Sequence, residues 1–222
     1  MIGPMTIQAE SRKPAPARGL ALPGTGAKVH EHYLRNGLRV VLLERPGDPV
    51  VTSLLWYGAG SRHEAPHEAG VAHFLEHMMF KGTKRFGKGS VDATTTSLGG
   101  SNNAFTSFDH TAYWFELASD RFEAAIELEA DRMRGLLLDP AEFISEKAVV
   151  LEELSMGRDD PWRRLSQDVS HELFGRHPYG APIIGHPETL QPMSVELMRG
   201  WYERTYQPCM ATLVLAGDLH PT

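Results

Sequence analysis

From Val71 to Met79 the chain reads VAHFLEHMM, with no helix breaker and only three polar positions. At about 100° per residue, His73, Glu76 and His77 fall in one narrow wedge. Val71, Ala72, Phe74, Leu75, Met78 and Met79 occupy the rest of the circumference. Such a helix is buried nearly all round, with a single polar slot. A chain of 222 residues can supply the core it needs without disulfide or metal staples. The helical reading spans residues 69–80, and Gly82 closes it at the C-terminal position that glycine favours.

The surrounding pattern sets the fold class. Residues 38–44 and 50–57 are β-branched, apolar runs separated by the turn signal Pro46-Gly47-Asp48-Pro49, which predicts a hairpin or meander. Ser90 is expected to cap a short polar helix that ends at Gly99-Gly100. Strands follow at 101–107 and 111–118, helices at 120–135, from 140 to about 157, at 162–174 and at 194–206, and a last strand at 211–216. Strands, then helices in blocks, then a returning strand predict an α+β fold. It has one mostly antiparallel mixed sheet of about five or six strands, with helices packed on one face. Residues 1–26 mix Pro, Gly and Ala without a long apolar block and read as a flexible leader, with a cytoplasmic address. Residues 27–222 read as one domain.

Two zinc-type patterns compete. His63-Glu64-Ala65-Pro66-His67 has H-E-x-x-H spacing. Pro66 removes a backbone donor and pushes Ala65 out of the α region, so the two histidines are not expected one turn apart on a common face. That segment reads as a loop with incidental histidines. His73-Phe74-Leu75-Glu76-His77, in the inverted order H-x-x-E-H, lies in the uninterrupted helix. Two neutral imidazoles one turn apart can grip one Zn²⁺, and the carboxylate between them is placed to act as general base.

A catalytic zinc needs a third protein ligand from another element. The helix opened by Asp139-Pro140-Ala141-Glu142 has an N-cap aspartate and a first-turn proline. On it Glu146 and Glu153 stand two turns apart, beside the apolar face of Phe143, Val150 and Leu154. Glu152 points away with Ala148, so Glu153 is the expected ligand and Glu152 a surface charge. Glu146 is expected to orient a ligand or to assist proton transfer.

Composition narrows the rest. A net charge of −6 leaves no cationic surplus for nucleic acid or an anionic membrane. The single cysteine, Cys209, excludes an internal disulfide and a cysteine-based metal site. Tyr113-Trp114-Phe115 reads as sheet packing, and Glu123, Glu127 and Asp131, with Arg121, Arg132 and Arg134, as the solvated face of a helix. His30, His32, His110, His171, His177 and His186 are assigned to structure or surface.

The stretch HFLEHMMFKGT from His73 to Thr83, preceded by Gly60-Ser61-Arg62, resembles the inverzincin metallopeptidases of the pitrilysin, insulin-degrading enzyme and mitochondrial processing peptidase family. The resemblance runs from about Val29 to Asp218. It includes Asn103-Ala104-Phe105-Thr106-Ser107, His177-Pro178-Tyr179-Gly180 and the closing LVLAGD. It implies one zinc per chain on His73, His77 and Glu153, with Glu76 as base and Glu146 as an assisting acid. It also implies that Asn103, Ala104 and Phe105 belong to an edge strand on which a peptide is laid. The activity implied is hydrolysis of peptide bonds in extended or unfolded peptides. Family members contain a second homologous half or pair with a homologous subunit, as a homo- or heterodimer. The resemblance therefore also leaves room for a latent half that cleaves nothing alone. Cys209 stands where many members carry asparagine.

Overall fold

The computed structural model describes residues 18–21 and 28–220. Seven strands form one sheet: β1 Arg18–Ala21, β2 Lys28–Tyr33, β3 Arg39–Glu44, β4 Val50–Tyr57, β5 Ser101–Thr106, β6 Thr111–Ala118 and β7 Ala211–Gly217, in the order β1-β2-β3-β7-β4-β6-β5. Every neighbouring pair is antiparallel except β3 with β7. The expected mixed, mostly antiparallel sheet is therefore present, and β1 adds a short edge within the stretch read as a leader. The rest of residues 1–26 lies outside the described residues.

The helices are α1 Val71–Met78, α2 Ser90–Ser97, α3 Glu123–Gly135, α4 Pro140–Asp159, α5 Pro161–Phe174, α6 Pro187–Leu190 and α7 Val195–Thr205. Along β4 the side chains alternate as a half-covered strand should. Val51, Ser53, Leu55 and Tyr57 are buried, while Thr52, Leu54 and Trp56 on the opposite face are only partly covered. The buried face meets α1 and α7, so Phe74, Leu75, Met78, Met198 and Trp201 complete the main core.

Several local expectations change. β3 and β4 do not form a hairpin, because β7 lies between them, parallel to β3 and antiparallel to β4. The run ATLVLAG is apolar on both faces, which suits a central strand better than an edge. β2 has no counterpart among the predicted strands. KVHEHY carries polar residues on both faces, and all but two of its positions are half-buried, so no apolar alternation marks it. Helix α2 begins after Gly89, which takes φ +76 and serves as N-cap, and Ser90 is the first helical residue without a capping side chain. Helix α1 ends at Met78, so Gly82 belongs to the turn beyond it. Arg132 is not on a solvated face. It is buried, pairs with Glu129 at 2.5 Å and lies over the rings of Phe80, Tyr113 and Phe115. The aromatic run on β6 packs as expected, with Tyr113 and Phe115 buried.

Candidate metal centre

Helix α1 is set in place at its first turn. Glu64 accepts hydrogen bonds from Gly70 N at 2.9 Å and Ala72 N at 2.8 Å, satisfying two of the donors that a helix start leaves free. Burial pushes the Glu64 carboxyl up to about 8, against the pull of those two N–H groups. Gly70 takes φ +95, and a Cβ there would stand 2.6 Å from Ile184 O, so the segment before α1 is packed backbone to backbone on the 181–186 loop. In the 63–67 segment His63 and His67 sit on separate 3-10 turns, Ser61–His63 and Pro66–Glu68, and share no helical face. The carboxylate between them is not incidental, because it caps the helix that carries the other motif.

Helix α4 supplies the opposite wall. Asp139 accepts from Ala141 N and Glu142 N, Pro140 opens the helix, and Phe143 stacks on Phe74 with ring centroids 4.8 Å apart. This contact brings the two polar stripes together. Glu153 Oε2 stands 3.7 Å from His73 Nε2 and 3.5 Å from His77 Nε2. Those separations are too long for good hydrogen bonds. They are close to the roughly 3.3 Å expected between ligand atoms that share a tetrahedral zinc at bonds of about 2.0–2.1 Å. Ligand atoms of His73, His77 and Glu153 all lie within 4.8 Å of one another, the only such cluster of three among the described residues. Glu152 is exposed, as its helical phase predicts.

The electrostatics suit a cation. Burial pulls His73 down to about 4, keeping its imidazole neutral and its lone pair available. His73 Nδ1 is buried without a hydrogen-bond partner, so the ring's exposed polarity is at Nε2. His77 is also pulled down by burial, but the carboxylates of Glu153 and Glu146 outweigh this and the net shift is upward. Glu153 is held below the usual carboxylate range by His77, with His73 and Arg163 acting in the same direction. The donor set of two imidazoles and a carboxylate is one that zinc accepts in catalytic sites.

Two further carboxylates complete the site. Glu146 Oε1 is 2.9 Å from His77 Nδ1, and Lys81 Nζ is 2.5 Å from Glu146 Oε2. Burial opposes the charge on Glu146, but Lys81 and His77 prevail and its pKa is lowered. Of the two roles expected for Glu146, this position favours orienting His77. Glu76, between the histidines, accepts a 2.5 Å hydrogen bond from Thr106 Oγ1, and its pKa is raised by burial. Thr106, Lys81 and Glu64 were not among the predicted site residues. Lys81, one turn beyond His77, carries a positional signal; Glu64 lies in the H-E-x-x-H segment and acts only six and eight residues ahead, whereas Thr106, in the quoted Asn103–Ser107 segment, reaches Glu76 across the fold.

Asn103, Ala104 and Phe105 lie on β5, at the end of the sheet. Asn103 and Phe105 are exposed, Ala104 is half-buried, and the Ala104 N–H donates to Asn103 Oδ1 at 2.8 Å. Phe105 packs on the outer face against Trp56 and His110. A cavity of about 390 Å³ opens beside His73 and Glu153, walled by Thr106, Phe108, Arg163 and Ile184. Tyr179 fastens its rim by donating to Asp109 at 2.8 Å and lying tilted against the Phe108 ring, with centroids 4.8 Å apart.

A family model described as Insulinase (Peptidase family M16) matches residues 39–187. The chain is 34% identical over 191 residues to a Bacillus subtilis protein named "Uncharacterized zinc protease YmxG", a match covering 86% of this chain and 47% of that one. Among solved structures, a protease from Helicobacter pylori superposes with a TM-score of 0.85 at 32% identity, over 87% of this chain and 47% of that chain. The periplasmic protease PqqL from Escherichia coli gives 0.81 at 28% identity, over 91% of this chain and 23% of that chain. The chain spans about half the length of the curated relatives it matches. Among the described residues no helix is long and apolar enough to cross a membrane.

Proposed function

The chain belongs to the insulinase family, peptidase family M16, and on that premise we propose that it is the metal-carrying half of a zinc endopeptidase, holding one Zn²⁺ on His73, His77 and Glu153. The observation that carries this reading is the convergence of Glu153 Oε2 on the Nε2 atoms of both histidines, at 3.5 and 3.7 Å, from a separate helix. Zinc bound there would supply Lewis acidity toward a peptide carbonyl and a water nucleophile near neutral pH.

The chain's own residues do the rest. Glu76 takes a proton from the attacking water and delivers it to the leaving amine, and its burial raises its basicity toward the working pH. Thr106 fixes the carboxylate that performs the transfer. Glu146 holds His77 by Nδ1 and leaves Nε2 facing Glu153. The substrate is an extended or unfolded peptide added as a strand beside β5 at Asn103, Ala104 and Phe105, where it would displace the Asn103 side chain from the Ala104 N–H.

The half-length match to relatives favours a second reading in one respect: turnover requires a homologous second half or partner subunit, and this chain alone is a latent one. The test is Glu76→Gln, measured for zinc by atomic emission and for cleavage of a quenched peptide in the assembled protein. Retained zinc with lost cleavage is the expected result, and retained turnover in the variant would end the proposal.

A further inference from the structure

Helix α5 is amphipathic with its apolar stripe turned outward. Trp162, Leu165, Val169 and Leu173 recur at helical spacing on one face. They are 78%, 52%, 47% and 73% exposed, and no residue of α5 is buried. The other face, through Arg163, Ser166, Gln167 and Ser170, lines the cavity that holds His73 and Glu153. A helix serving only its own chain buries the apolar side. Here the polar residues line an open cavity, with only Ser170 half-buried, and the apolar stripe is uncovered, which marks a contact surface.

We propose that this stripe is where a second polypeptide domain seats, the domain that occupies the part of the relatives' length this chain does not match. Seating it would hold α5 in place as a wall of the metal-site cavity. In the curated relatives and the solved neighbours alike, the matched unit is continuous with at least as much further polypeptide, so an uncovered apolar face on that unit has a neighbour at hand. The polar flanks of α5 carry Arg163 and Arg164 against Asp168 and Glu172, a balance that suits a protein surface and gives no cationic surplus for anionic lipid. The helix is held mainly by α4 and the Pro178–Gly180 turn, so its position is open to adjustment by whatever covers it. The docking rests on the family reading, but its readout is not activity, so it fails or stands independently of the peptide-hydrolysis proposal.

The experiment places this chain in the Bacillus subtilis relative in place of the stretch it matches, and compares hydrogen exchange at residues 161–174 in the hybrid and in the chain alone. Exchange across α5 should slow by at least about tenfold in the hybrid. Leu165→Asp with Leu173→Asp should restore fast exchange there without lowering the melting temperature of the chain alone, since both side chains are exposed. The same pair of substitutions at the matching positions of the intact Bacillus subtilis protein gives an answer independent of the hybrid's folding, and loosening of its two halves in solution scattering is expected. Equal exchange at α5 in hybrid and chain would overturn the proposal. So would concentration-dependent dimerisation of the chain alone that the double substitution abolishes, which would assign the face to a second copy. Flotation of the chain with phosphatidylglycerol vesicles, lost in the same variant, would assign it to lipid and would equally overturn it.

Discussion

Glu146 Oε1 meets His77 Nδ1 at 2.9 Å, so the imidazole presents its other nitrogen to Glu153 across the interface between α1 and α4. A carboxylate behind a ligating histidine fixes the tautomer and raises the basicity of the ligand. Glu146→Gln keeps the shape and an acceptor but loses the charge that also holds Lys81. Zinc affinity should drop by about 10–100-fold, with Glu146→Asp recovering part of it. Competition with a chromophoric chelator reads both.

The adjacent pair Glu152 and Glu153 separates helix phase from mere acidity. Glu153→Gln removes a direct ligand and should weaken zinc binding by more than the roughly 100-fold that a supporting group is worth. Glu152→Gln removes only an exposed charge and should leave the affinity unchanged. Equal losses in the two variants would contradict the convergence of α4 on the histidines.

Glu64 gives the chain a distinctive pH response. Its folded pKa of about 8 stands above the roughly 4.3 of an unfolded glutamate, so the folded state binds the extra proton. Its contribution is fully present below about pH 4 and is lost as pH rises through about 8. The melting temperature of the wild type should therefore fall relative to Glu64→Gln as pH is raised from about 5 to about 8.5. A difference that stays constant over that range would show the carboxyl to be ionised throughout.

Gly185 takes φ +84, and a Cβ there would sit 2.5 Å from Ala69 O, one residue before the N-cap of the helix that carries both histidines. Gly185→Ala combines left-handed strain with a backbone clash and should cost about 2 kcal/mol or more. The loop must shift against Ala69 and Gly70, so zinc affinity should decline together with the melting temperature. Gly175→Ala, where φ is +54 but the space is open, isolates the conformational part and should be milder.

Much of this architecture was readable residue by residue because it is periodic. The wedge of His73, Glu76 and His77 and the choice of Glu153 over Glu152 follow from helical phase, and β4 and β6 appear at their predicted bounds because apolar, β-branched and aromatic residues run together there. The strand β2 was illegible for the opposite reason: its half-buried, polar residues carry no period.

What the linear sequence determined by itself is the set of local elements and the chemistry each one carries, since both depend on neighbours a few positions apart. The tertiary structure alone decided which surfaces meet. It inserted β7 between β3 and β4, placed Arg132 among three rings rather than in water, and left the apolar side of α5 uncovered. Those outcomes depend on contacts between residues far apart in the chain, where burial and hydrogen bonding are satisfied by whichever partner the fold brings near, and no local periodicity records that partner.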